Sequence, residues 1–167
     1  MQSLAGSFLI ARPVLQDPSF KQTVVLLLQH NKEGAFGLVV NRPREVDGLP
    51  FPVFAGGPCE FEGLLLLHGQ PDWSRLDAAV PDGEIAPGIF LGDASCLERA
   101  SEASQSDELR VRVFRGYAGW GKEQLESELE SGAWVVYPAS GQLLFDTPTD
   151  ELWPRLVPKT IPQPSLN

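Results

Sequence analysis

Apolar residues in this chain fall into short unbroken runs separated by connections rich in Pro, Gly and Asp. Residues 7–11 (SFLIA) and 23–29 (TVVLLLQ) are such runs, rich in β-branched and long aliphatic side chains, and they read as buried strands. The connection between them carries Pro13 and Pro18, so a loop or a single helical turn is expected there. Asn31-Lys32-Glu33-Gly34 then separates the second run from residues 36–41, a turn set that signals a hairpin. Pro50 and Pro52 mark 44–57 as a long surface connection, because proline in mid-sheet forfeits ladder hydrogen bonds. Residues 62–68 and 88–91 read as further strands around a loop at 69–88.

The second half mixes the two periodicities. Leu109-Arg110-Val111-Arg112-Val113 alternates, which predicts a strand with one buried face and one wet face presenting arginines. Residues 122–131 set Leu125 and Leu129 four apart, carry Glu at the start and stop at Gly132, the pattern of a helix. Asp93 is placed to cap a helix over 94–102. Residues 134–137 and 143–145 read as closing strands, and 148–153 opens a short helix with Pro148 in its first turn. Strands that come in groups favour an α+β fold, with a mostly antiparallel or mixed sheet and few helices. No internal repeat is visible, and one domain over 1–157 followed by a Pro-containing tail at 158–167 is expected.

Composition narrows the function more than the fold. The 167 residues are 43% apolar, slightly below typical usage, and 21% charged, close to it, so disorder is not the default. A net charge of -9 opposes direct binding to nucleic acid, since the long-range field repels a polyanion. Cys59 and Cys96 stand far apart, with neither metal-finger nor redox spacing, which fits reduced thiols in a cytoplasm. The apolar run near the start is too short for a signal peptide and lacks a charged region ahead of it. The strongest run, residues 24–28, is far below the ~20 residues that cross a bilayer, so no membrane segment is expected.

Several residue groups have chemistry to offer, and each has a plainer structural reading. His30 and His68 both close apolar runs, where an imidazole serves either as a base or ligand or as a partner for a loop. Gly56-Gly57-Pro58-Cys59 reads either as an anion-receptive turn beside a thiol with His68 as its base, or as a tight turn with a small apolar filler. Gly116-Tyr117-Ala118-Gly119-Trp120-Gly121 precedes the helix at 122–131, as an anion cradle or as a turn whose aromatics pin the helix. Arg110, Arg112 and Phe114 form a short basic-aromatic stripe on one strand face. Dinucleotide and P-loop fingerprints are absent, and no ligand set for zinc can be assembled, so neither cofactor nor metal is expected.

Taken in order, Phe8-Leu9-Ile10-Ala11-Arg12-Pro13, Asp17-Pro18-Ser19-Phe20, His30-Asn31, Glu33-Gly34-Ala35-Phe36-Gly37-Leu38-Val39-Val40-Asn41-Arg42-Pro43, Gly56-Gly57-Pro58, Leu67-His68, Gly92-Asp93 and Gly116-Tyr117-Ala118-Gly119-Trp120-Gly121 resemble the bacterial AlgH/YqgE family over residues 4–157. The resemblance implies a bifurcated, mostly antiparallel sheet curled into a pseudo-barrel with helices outside it. It carries the label of a transcriptional regulator and supplies no catalytic residue. Where the family often has Val after Gly-Gly-Pro, this chain has Cys59. The expected function is therefore a non-enzymatic binding or regulatory protein acting through partner proteins. The alternative is an enzyme or small-ligand protein with a site at the strand ends using His30, His68 and the Gly56-Gly57-Pro58 turn. The candidate surface comprises His30, Asn31, Asn41, Arg42, Gly56 and Gly57, together with His68, Asp93, Tyr117 and Trp120. Asn41 and Arg42 are expected to fix the following loop, with Pro43 setting its direction.

Overall fold

A computed structural model describes residues 3–44, 53–60, 63–69, 84–92 and 110–160; Asp93, Cys96 and the helix expected over 94–102 lie outside them. Strands β1 (Ser7–Ala11), β2 (Val24–Asn31) and β3 (Gly34–Val39) lead to the short β4 (Pro43–Arg44) and β5 (Val53–Ala55). Then come β6 (Leu65–His68), β7 (Glu84–Ala86), β8 (Ile89–Gly92), β9 (Val111–Arg115), β10 (Ala118–Trp120) and β11 (Trp134–Pro138). The helices are α1 (Gln124–Glu130), α2 (Gly141–Asp146) and α3 (Thr149–Thr160).

The strands form two sheets, a five-stranded one in the order β10-β3-β2-β1-β11 and a six-stranded one in the order β4-β5-β9-β6-β8-β7. Every pair in the first is antiparallel, and the second includes the parallel pair β5–β9. The α+β class is as expected, and the bifurcation is real: the chain leaves one sheet at the end of β9 and enters the other at β10. The pseudo-barrel implied by the resemblance is not formed: neither sheet closes on itself, and Gly116, with φ +80, lies at the turn from one sheet to the other. Val39 N–H to Gly56 O at 2.8 Å ties the end of β3 to the second sheet, whereas Gly56 N–H to Arg115 O at 2.9 Å extends the β5–β9 pairing within that sheet.

The unbroken apolar runs of β1 and β2 have a direct cause. Phe8, Ile10, Val24 and Leu26 point into a core shared with the second sheet and with Leu144, Leu152 and Leu156 of α2 and α3. Leu9, Ala11, Val25 and Leu27 point the other way, against Leu125, Trp120 and Trp134. Side chains alternate across a strand, so a strand covered on both faces must be apolar at every position. Each fully buried Leu or Ile contributes about 2 kcal/mol of hydrophobic stabilisation.

Two expectations are corrected. Residues 143–145 are helical, within α2, and not a closing strand. Ser140 Oγ accepts the Leu143 N–H at 3.2 Å and so caps the helix, while Gly141 N–H donates to Pro87 O at 2.7 Å. The second correction follows from the first, because α2 lies over the face of β9 that alternation alone predicts to be wet. Arg110 pairs with Asp146 at 2.6 Å, and Arg112 donates to Phe145 O at 3.2 Å. The Arg112 guanidinium sits 5.5 Å from the Phe145 ring centre and 5.9 Å from that of Phe54. Burial draws its pKa below the ordinary arginine value, with the Asp146 charge acting in the opposite direction. Phe114 is fully buried in the core and Arg112 is covered by Phe145, so these two members of the basic-aromatic stripe pack inside the molecule while Arg110 stays at the surface.

Candidate functional site

The Asn-Arg-Pro triplet that ends β3 is where the fold and the candidate residues meet. Asn41 Oδ1 accepts the Val24 N–H at 2.9 Å, and its Nδ2 donates to Gln22 O at 3.0 Å. Arg42 donates to Ser19 O at 2.6 Å and to Lys21 O at 2.9 Å. Both side chains therefore pin the connection between β1 and β2; the following loop, which the sequence suggested they fix, lies mostly outside the described residues. That connection is itself turned by Asp17, whose Oδ1 accepts the Ser19 N–H at 2.8 Å. Within it Gln22 is held at φ 58, a left-handed conformation that costs a non-glycine residue about 1 kcal/mol.

Arg42 is half-buried, and burial lowers its pKa from the ordinary value while the Asp17 charge pulls the other way. It lines two cavities. The larger, about 640 Å³, lies between Lys21, Gln22 and Asn41 on one side and Thr149, Asp150, Trp153 and Pro154 of α3 on the other. The smaller, about 140 Å³, is lined by Ser19, Ala55, Gly57 and Pro58. Arg42 is thus common to both cavities, and Pro18-Ser19, Asn41 and Gly57-Pro58 of the sequence motifs line this groove. Trp153 is fixed at its wall by an indole N–H bond to Ala11 O of 2.7 Å.

The histidines do not join this groove. His30 Nδ1 accepts the Leu4 N–H at 3.0 Å, which leaves Nε2 to donate to Glu126 at 3.3 Å. The ring is 7% exposed and ties the N-terminal segment to α1. Replacing His30 by Ala should lower stability by about 2 kcal/mol, through two lost hydrogen bonds and a cavity. Urea unfolding checks this, and His30→Gln, which keeps an acceptor, should recover part of the loss.

His68 is fully buried in the middle of the six-stranded sheet, its ring stacked on Phe90 at 5.5 Å. It pairs with Val111 at the start of β9, whereas Cys59 bridges to Tyr117 beyond that strand's end. Their two partners are thus separated by the length of β9 and by the turn at Gly116. No thiol-imidazole pair is formed, and the Cys59 backbone closes the sheet junction by exchanging both hydrogen bonds with Tyr117. Asn31 and Trp120 line a third cavity of about 270 Å³ at the hairpin end. Tyr117 packs on Phe36, with ring centres 4.9 Å apart. Gly116 to Gly121 is no open cradle: residues 118–120 are strand, and the Gly121 N–H is taken by Gln124 Oε1 at 2.9 Å. Among the described residues no cluster of His, Cys, Asp and Glu fits a metal ion, and no helix is long and apolar enough to cross a membrane.

Sequence reasoning missed the α3 side of the groove. The Trp153-Pro154 pair between Leu152 and Leu156 was the available pointer, since a helix with Leu at i and i+4 brings its neighbouring residues to the edge of the core.

The sequence pattern described as AlgH-like matches residues 8–164. A "UPF0301 protein" of Hahella chejuensis is 35% identical over 165 residues, covering 90% of this chain and 85% of its own. Another from Streptomyces avermitilis is 38% identical over 167 residues, covering 92% and 84%. The solution structure of the AlgH protein from Pseudomonas aeruginosa superimposes with a TM-score of 0.69 at 31% identity, over 95% of this chain and 87% of that one. A crystal structure of a Corynebacterium diphtheriae protein gives a TM-score of 0.74 at 22% identity, over 96% and 88%, a likeness of fold.

Proposed function

The chain belongs to the AlgH-like family, and from that premise we propose that it is a non-enzymatic binding protein of the cytoplasm that works by docking a segment of a partner protein in the groove at Arg42. The observation that carries this reading is the construction of the groove. Its polar side chains, Asn41 and Arg42, are held by backbone groups in one fixed arrangement, and an aromatic wall, Trp153, stands opposite. Pre-ordered polar groups beside an apolar wall suit recognition, because little side-chain freedom is lost on binding. Acid-base chemistry has less to work with, as His30 is engaged by Leu4 and Glu126 and His68 is buried against Phe90. A regulatory role of the kind the family label names would run through that partner, given the net charge of -9.

A photo-reactive amino acid placed at Thr149, on the groove wall, tests the proposal in cells. The expected result is a crosslink to a defined partner segment that disappears when Arg42 is also changed to Ala. The same group at Ser127, exposed on α1 against the opposite face of the first sheet, should not capture it. Equal capture from both positions, or none from Thr149, would overturn the reading.

A further inference from the structure

Within that groove, and resting on the reading above, we infer that the docked segment is a chain end: a terminal carboxylate held by Arg42 and Lys21, with its apolar side chain against Trp153 and Pro154. Of the five N–H donors of a guanidinium, Arg42 gives one to Ser19 O and one to Lys21 O, and among the described residues no acceptor takes the other three. Those two bonds fix the plane of the fork before any ligand arrives, and a planar fork matches a carboxylate. Lys21 is exposed on the same cavity and adds a second cation that can swing to the same oxygens.

Charge limits the ligand. Asp150 lines the cavity and the Asp17 charge reaches Arg42, so two carboxylates already stand near the two cations. A group carrying two or more negative charges, such as a phosphate ester, would meet both of them, whereas a single carboxylate would not overload the site. The α3 wall also offers an acceptor. Pro154 has no N–H, so the Asp150 carbonyl does not receive the helical bond from four residues on, and since both residues line the cavity it is the acceptor assigned to the peptide N–H of the docked end. An anion site, an acceptor and an apolar wall side by side are the three parts of a C-terminal residue: its carboxylate, its N–H and its side chain.

The test uses the full chain labelled with nitrogen-15 and three probes of defined chemistry: N-acetyl-phenylalanine, its C-terminal amide, and inorganic phosphate. The expected result is a saturable shift of the Arg42 side-chain and Trp153 indole signals by N-acetyl-phenylalanine at about 1–10 mM. The amide should bind at least tenfold more weakly, and phosphate should be weaker than the carboxylate. Lys21→Ala, which removes an exposed side chain and leaves the fold intact, should weaken the carboxylate several-fold and the amide not at all. A further arm separates a chain end from a free acid: a tetrapeptide ending in phenylalanine should bind more tightly than the single residue. Equal binding of acid and amide, tighter binding of phosphate, or no shift at about 50 mM would overturn the inference. A tetrapeptide weaker than the single residue would also overturn it, assigning the site to a small free acid. A Thr149 crosslink to an internal partner segment would sink the chain-end inference and leave the docking reading standing. Carboxylate binding without any crosslinked partner would do the reverse.

Discussion

Replacing Gly57 by alanine should destabilise the protein by about 3 kcal/mol, a loss of roughly 10 °C in Tm for a chain of this size. Gly57 has φ +153, a conformation an L side chain rarely adopts. A Cβ there would also fall inside van der Waals distance of the Tyr117 carbonyl, and only 2.5 Å from the Ala118 nitrogen. Both obstacles are backbone, and both belong to the segment by which the chain passes from one sheet to the other, so neither can give way without opening the junction. Gly119 provides the control. It sits in a strand of the same segment, exposed, with its nearest foreign atom 3.5 Å from an added Cβ. Gly119→Ala should change stability by less than about 0.5 kcal/mol. Thermal melts followed by circular dichroism decide the matter, and similar losses for the two variants would refute this account of Gly57.

Glu128→Ala should produce the second large effect, also about 3 kcal/mol, for an electrostatic reason. One oxygen of the Glu128 carboxylate accepts the indole N–H of Trp120 at 3.1 Å and that of Trp134 at 2.8 Å. The other accepts the Gln124 amide at 3.0 Å. The two indoles are 5% and 3% exposed, so water cannot easily replace the lost acceptor, and each stranded donor costs about 1–3 kcal/mol. Phe20 packs on both rings at 5.9 and 5.6 Å, which ties this cluster to the connection that also carries Lys21 and Gln22. Glu128→Gln keeps an oxygen where the indoles point and gives up only the bond to Gln124, whose own oxygen is held by the Gly121 N–H, so it should lose about 1 kcal/mol. Urea unfolding monitored by tryptophan fluorescence measures both. An alanine variant no worse than the glutamine variant would show that the shared carboxylate is not what holds the two indoles.

Some of this was legible in the sequence and some was not, and the division has a physical basis. β1 and β2 were readable because strands covered on both faces must be apolar throughout, and the β2–β3 hairpin because its turn chemistry is local: Asn31 Oδ1 accepts the Glu33 N–H at 2.8 Å. Alternation in 109–113 marked β9, which runs from Val111 to Arg115, but a period of two records which residues share a face and not what later covers it. Arg112 is covered by α2, which arrives from a distant stretch. The triplet at 143–145 fits a strand or a helix equally, and the Ser140 cap decides it. Of the groove, Asn41, Arg42 and Gly57 were singled out from the sequence. Lys21, Gln22 and Trp153 were not, because their place beside Arg42 is set by tertiary packing, and the left-handed turn at Gln22 has no sequence signature of its own.

The pairing of β1 with β11, Ser7 opposite Pro138, also sets a timetable for biosynthesis. β1 leaves the ribosome well before β11, so one of its two edges waits until that later strand has been made. At about 10 residues per second that delay is on the order of ten seconds, during which an apolar strand edge is open to other nascent chains. High contact order slows refolding for the same reason. In the finished protein the same pairing is a clasp: it places one of the earliest strands inside the sheet, locked by one of the last.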